Sequence, residues 1–537
     1  MAHARRMFSL QERARESGVP VAELAGRERE QREQARDRGP TRRELLARGG
    51  ALAAGALLAR SPTASLARAA LARPSAPRIA IVGAGLAGLR CAHMLWNNPG
   101  APLAATLYEA NPERVGGRCW TLRGFFDHGL ECEHGGSFLN SNQTAVRNLA
   151  AQLGLTEEVV DGGDLPRGEE VFLIGGARYT AAEAQADWEA FGYDAFKSAA
   201  RELRKPARGA RLDAMSVPEW LDSTQIGAHS RFGKLMQANT VTENGGDPGD
   251  QSALDLIELL SGNRRASLQP LPGDDERFHI IGGNDQLVSG MLAQLPGPAL
   301  QRGHALVAAR ANADRSVTLS FEAGGGSLSD VTADYVVFAL PFSTLRDVDL
   351  SASGLSPEKR KVIRTMGIGT NAKVHLELAC KTWPVLGYSG ATYGEWDRLA
   401  CAWDDSVQLG PDARPALYLA FPGARVGAGG LSGAAHGIAP EADVQFALGE
   451  IEPLFPGTTA AYTGRAYEDH WALDPWVKGA YSYYRVGQAS SYGALARKSE
   501  GRFLFAGEHT SIANIGFLDG AVETGERAAH RLLRHFG

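Results

Sequence analysis

The residues best placed to do chemistry are glycines. Gly83-Ala-Gly85-Leu86-Ala87-Gly88 follows directly on the apolar run Arg78-Ile-Ala-Ile-Val82. In that spacing Gly83 permits a tight turn, Gly85 lets a pyrophosphate approach bare backbone, and Gly88 allows a helix to pack closely on the strand. The helix start at Leu86 and Ala87 adds unpaired N–H groups and partial positive charge for the phosphates. Glu109 ends the next strand 21 residues after Gly88, where its carboxylate would accept hydrogen bonds from ribose hydroxyls. The plain alternative is a structural turn beside a surface glutamate. A second run, Glu109-Ala110-Asn-Pro-Glu-Arg114-Val-Gly116-Gly117-Arg118, continues from that strand. Its paired glycines admit a close backbone approach, and its arginines offer charge-assisted bonds. Taken alone it reads equally as a basic turn.

The elements needed to position these residues are legible around them. Residues 78–82 and 105–109 read as strands and 86–96 as a helix, the unit that opens a doubly wound sheet. Residues 151–277 are mostly helical in pattern, with loop signals at Asp161-Gly-Gly-Asp and Asn244-Gly-Gly-Asp-Pro248. Strand patterns return at 317–321, 335–340 and 372–378, and the chain closes with a strand at 502–506 and a helix from about Leu518 to Phe536. On 372–378 alternation puts Lys373, His375 and Glu377 on one face. That pattern by itself describes a half-exposed strand with Lys373 at the surface.

The fold class is therefore mixed α/β. A Rossmann-like domain of residues 77–150, 278–345 and 495–537 is interleaved with a substrate domain of residues 151–277 and 346–494. With 44% hydrophobic and 22% charged residues the 537-residue chain reads as globular. A net charge of −5 gives no case for nucleic-acid binding. The five cysteines form no close-set ligand pair, so no metal is expected and the thiols read as ordinary buried ones. Residues 1–76 read as an extension: an Arg- and Glu-rich stretch, then Thr41-Arg42-Arg43-Glu44-Leu45-Leu46 and a small apolar run from Gly49 to Ala59. With Ala67-Arg68-Ala69 beyond it, this is similar to a twin-arginine export signal, implying a periplasmic or secreted protein. The run is too short to span a membrane permanently.

Together the motifs from residue 78 to the C-terminus resemble the flavin-containing amine oxidases, the monoamine, polyamine and L-amino acid oxidases. Glu133-His-Gly135-Gly136-Ser137-Phe138 is similar to the family's acidic-x-Gly-Gly segment beside the flavin, and Gly303-His-Ala-Leu306 to the element touching adenine. Ala333 to Pro341 is similar to the strand that closes the FAD domain. The run Gly507-Glu508-His-Thr510, then Gly516-Phe517-Leu-Asp-Gly520-Ala521, is similar to its cofactor-closing motif, with Glu508 as the expected ligand of the ribityl or phosphate region.

The resemblance implies FAD as cofactor, hydride removal from the carbon bearing nitrogen to flavin N5, and oxygen as acceptor with hydrogen peroxide as product. It places Lys373 at the flavin N5 water and Trp471, Trp476, Tyr481 and Phe517 around the flavin and substrate. Tyr481 and Phe517 form the aromatic pair flanking the amine, although Phe517 replaces the tyrosine usual in monoamine oxidases. Ala480 stands where covalent members carry cysteine, which implies non-covalent FAD. A homodimer is compatible with the resemblance. The rival reading is an L-amino acid oxidase, which needs a carboxylate clamp for which Arg485 is the nearest arginine to Tyr481. An NAD-dependent dehydrogenase and a non-catalytic flavin-binding protein fit the motifs less well. Changing Arg42 and Arg43 to Lys is expected to strand folded, flavin-loaded protein in the cytoplasm; normal appearance of the double variant in periplasm or medium would refute the export signal.

Overall fold

The computed structural model describes residues 76–160, 168–203, 205–269, 275–324 and 326–536. The expected N-terminal extension and the loop signal at Asp161–Asp164 lie outside the described residues. From Pro77 onward the chain forms one compact unit.

Two sheets dominate it. Their strands in chain order are β1 (Ile79–Val82), β2 (Ala105–Tyr108), β3 (Leu300–Gln301), β4 (Tyr335–Phe338), β5 (Ala372–Leu378), β6 (Thr392–Tyr393), β7 (Cys401–Asp404), β8 (Ala416–Phe421), β9 (His436–Ile438), β10 (Tyr462–His470) and β11 (Phe503–Phe505). The first sheet is parallel, in the order β11-β4-β1-β2-β3, so its strands come from both ends and the middle of the chain. β1 is buried along its whole length, as a central parallel strand covered on both faces must be. Its residues divide with period two. Ile79 and Ile81 face helices α1 (Leu86–Trp96) and α3 (Leu518–Phe536), whereas Ala80 and Val82 pack with Leu319 and Phe321 of an antiparallel three-stranded sheet.

The second sheet is antiparallel, in the order β6-β7-β8-β5-β10-β9. Residues between 181 and 260 are largely helical, including α2 (Arg231–Asn244), which Gly245 closes in the left-handed conformation at φ +66. Just before them, within the 151–277 stretch that read as mostly helical, lies a hairpin, Val171–Ile174 with Ala177–Thr180, which the helical pattern missed.

β5 corrects the sequence reading. All seven of its residues are buried, and Lys373 is only 4% exposed. Alternation identified the two faces, but both are covered. The polar face meets other polar groups: Lys373 bonds Ser137, His375 bonds Asp405, and Glu377 accepts from the Asp127 amide. Buried charges persist where such partners satisfy them, and alternation alone cannot reveal that.

Candidate active site

The turn after β1 is set by close contact. Gly83 has φ +101, and a Cβ there would lie 2.9 Å from the Ala339 carbonyl carbon and oxygen at the end of β4. A Cβ at Gly88 would sit 1.9 Å from the Gly83 carbonyl oxygen. Gly85 differs, since the nearest atom to a Cβ there is the Gly116 carbonyl at 3.9 Å. It faces open space. As N-cap of α1, Gly85 gives no side-chain capping bond, and the first turn of the helix carries no acidic residue. The helix therefore presents its unpaired N–H groups to whatever fills that space.

The space belongs to a cavity of about 830 Å³, near the top of the roughly 300–1,000 Å³ usual for ligand pockets. Every residue assigned above to cofactor or substrate borders it, from Gly83 to Ala521 and including Leu306, Lys373, Trp471, Trp476, Tyr481 and Phe517, with one exception. Gly88 is not on the wall and stands behind it as a packing contact, because the helix leaves no room there for a ligand.

At one end, Glu109 accepts from the Ala84 amide at 2.7 Å and the Asn111 amide at 2.9 Å, and burial raises its pKa. Arg114 donates to the Gly117 carbonyl at 2.6 Å and stacks over Trp120 at 4.2 Å. Arg118 donates to the Ala480 carbonyl and, at 3.0 Å, to Glu508. Glu508 is 4% exposed and also accepts from the Ser482 hydroxyl at 3.0 Å and the Gly516 amide at 2.8 Å. Burial alone would raise its pKa, but the Arg118 charge, the His509 ring and the hydrogen bonds from Gly516 and Arg118 together outweigh that, and the carboxyl is held below its ordinary range.

The Lys373 ammonium donates to the Glu133 carbonyl and the Ser137 hydroxyl, each at 2.7 Å. One of its three N–H donors is left over. Tyr481 donates its hydroxyl to the Thr242 carbonyl, and burial pushes its pKa far up. A Cβ on Gly516 would lie 3.7 Å from the Tyr481 Cβ, so the chain carrying Phe517 runs beside Tyr481. Trp471 donates from Nε1 to the His134 carbonyl at 2.7 Å, while Trp476 is 37% exposed at the cavity rim.

Sequence reasoning missed two groups. Carboxylates of Glu170, Glu243, Asp275 and Glu276 border the same cavity, and Glu243 and Glu276 lie close enough to raise the pKa values of both Tyr393 and Tyr481. Their positions in chain order, spread over a hundred residues and a loop, carry no shared motif. The other group is a set of histidines around Asp469, with His134 on the cavity wall. Arg485, the suggested carboxylate clamp, does not border the cavity.

A parallel sheet whose first helix opens uncapped onto a cavity with an acid at the second strand defines a nucleotide-cofactor enzyme. The chain belongs to the family described as flavin containing amine oxidoreductase, whose profile matches residues 86–533. Its cofactor is FAD, and the bare backbone at Gly85 with the uncapped helix behind it suits a pyrophosphate. The chain is 25% identical over 462 residues to pseudooxynicotine dehydrogenase of a Pseudomonas species, covering 84% of this chain and 85% of the relative. It is 24% identical over 493 residues to an L-amino-acid oxidase of Echis ocellatus, covering 86% and 90%. The fold matches that of cyclohexylamine oxidase from Brevibacterium oxydans at a TM-score of 0.70 with 20% identity, covering 86% of this chain and 99% of the other.

The two glycines are expected to separate under mutation. Gly88→Ala should destabilise the protein itself by about 1–3 kcal/mol through overpacking, read as a lower thermal midpoint. Gly85→Ala should leave the apoprotein midpoint unchanged and weaken FAD binding at least about tenfold, or roughly 1.4 kcal/mol, read by flavin titration. Wild-type FAD affinity in Gly85→Ala would remove the pyrophosphate from this turn.

Proposed function

We propose that this enzyme oxidises the C–N bond of a primary or secondary amine that carries no carboxylate beside the nitrogen, with non-covalent FAD and with oxygen as acceptor. The observation that carries the reading is the commitment of the cavity's described cations to partners other than a substrate carboxylate. Its described cationic side chains are each engaged: Arg114 with Gly117, Arg118 with Glu508, Lys373 with Glu133 and Ser137, and Lys478 with Asp347. The carboxylates Glu170, Glu243, Asp275 and Glu276 border the same space. An amino acid carboxylate entering there meets no described arginine clamp.

Bound FAD supplies the hydride acceptor. The protein's own groups hold the substrate. Tyr481, its hydroxyl committed to Thr242, turns a ring rather than a polar group toward the space beside Phe517. Two such rings guide a nitrogen and exclude water. The remaining Lys373 donor would fix a water at the reacting end, with positive charge nearby. The imine product then hydrolyses in water to a carbonyl compound and an amine or ammonia.

The test begins with acid precipitation, which should release the flavin colour into the supernatant because Ala480 has no sulfur for a thioether. A screen then compares amines with L-amino acids by oxygen uptake and peroxide, beside an artificial dye acceptor. Turnover of L-amino acids with none of the corresponding decarboxylated amines would overturn the substrate class. Dye reduction without peroxide would remove oxygen as acceptor. Lys373→Met is expected to keep FAD and to lower the rates of flavin reduction by amine and of reoxidation by about 10²-fold, measured separately by stopped flow. If both rates stay within about threefold of wild type, roughly 0.7 kcal/mol in barrier, Lys373 is only a strand residue.

A further inference from the structure

Behind the wall formed by residues 133–137, three strands of the antiparallel sheet set one row of polar residues side by side. The register pairs Lys373 on β5 with Asp469 on β10, and Asp469 with His436 on β9. Residues directly opposed in antiparallel strands project on the same face. Lys373 reaches the Glu133 carbonyl and the Ser137 hydroxyl, both at 2.7 Å. Asp469 takes the residue between them: the His134 Nδ1 lies 2.7 Å from Asp469 Oδ1. The segment is thus fastened from one sheet by two adjacent prongs, with Gly135 and Gly136 on the cavity wall between the anchors.

His134 is itself on that wall. It is 1% exposed, its ring stacks on Trp120 with centroids 3.5 Å apart, and its carbonyl holds Trp471. An ionised carboxylate can only accept, so a bond to Asp469 puts the imidazole proton on Nδ1 and leaves Nε2 as a lone-pair acceptor. Asp469 has no exposed surface and is ringed by imidazoles. The His436 Nδ1 meets the same oxygen at 2.7 Å, with its Nε2 3.1 Å from Asp474, which in turn faces Arg114 at 3.5 Å. The His375 Nε2 stands 3.7 Å from the other oxygen, its Nδ1 bonded to Asp405 at 3.0 Å. Burying a carboxylate this deeply is costly, and an apolar filling of the same volume is often as stable or more so. A role in fixing a ring at the cavity accounts for its being there.

We propose that Asp469 is a positioning residue for the flavin-bearing wall: it sets the orientation and tautomer of His134 and thereby the Gly135-Gly136 backbone that Lys373 grips from its other side. The proposal rests on the assignment of this cavity to FAD and the amine.

The decisive comparison is between two variants of the ring. The amide of His134→Gln still donates to Asp469, whereas His134→Leu does not. Glutamine is expected to keep both kcat per bound flavin and the FAD dissociation constant within about threefold of wild type. Leucine is expected to lower kcat per bound flavin at least about tenfold and to weaken FAD by a similar factor, with the amine KM nearly unchanged. Asp469→Asn should follow leucine. If the asparagine variant fails to fold, the His134 pair still decides. Equal behaviour of glutamine and leucine would overturn the proposal. So would a leucine variant that loses thermal stability but keeps wild-type kcat per bound flavin, the result of a merely structural contact. The two FAD dissociation constants stand whichever substrate wild type turns over, so failure of the amine reading is distinguishable from failure of this one.

Discussion

The carboxylate of Glu508 ties together pieces of chain that lie far apart in sequence. Its oxygens accept from Arg118 of the second glycine run, from Ser482 beside the aromatic Tyr481, and from the Gly516 amide that precedes Phe517. Each partner borders, or adjoins a residue that borders, the cavity. A buried carboxylate left short of donors would be costly, so these contacts hold one another in place. Cofactor end and substrate end are therefore one mechanical unit. A shift in the Arg118 loop would be felt at Tyr481 through Glu508 and through the Arg118 bond to the Ala480 carbonyl.

Ionic groups organise the opposite wall in the same way. The polar face of β5 is turned inward, and Asp469 of β10 lies opposite its Lys373 among the same buried charges. Burial pushes the Asp469 carboxyl up, but hydrogen bonds from His134 and His436 and the electrostatic pull of His134 and His375 together outweigh it and hold the pKa at about 2. Burial of His134 lowers its own pKa, while His436, between two carboxylates, is raised. The two imidazoles on one oxygen are therefore shifted in opposite directions by environment alone.

Charged side chains also border the rest of the cavity. Cations gather where a nucleotide cofactor needs them, at Arg114, Arg118 and the start of α1. Carboxylates gather where the chamber is lined by Tyr393 and Tyr481.

The sequence by itself determined the local devices. Glycine spacing announced a pyrophosphate turn because only glycine tolerates the contacts at Gly83 and Gly88, and apolar runs announced the parallel strands because both faces of such a sheet are covered. The limits of α1 and α3 followed from the same patterns. Tertiary structure alone decided that β5 is buried on both faces, that Gly88 supports the wall without touching the cavity, and that Arg485 is off it. It also brought Glu170, Glu243, Asp275 and Glu276 together and surrounded Asp469 with histidines. The difference is physical. Backbone sterics and hydrophobic periodicity act over a few residues and leave a record in spacing, whereas pairing of buried charges acts through space between segments whose order in the chain is free to vary.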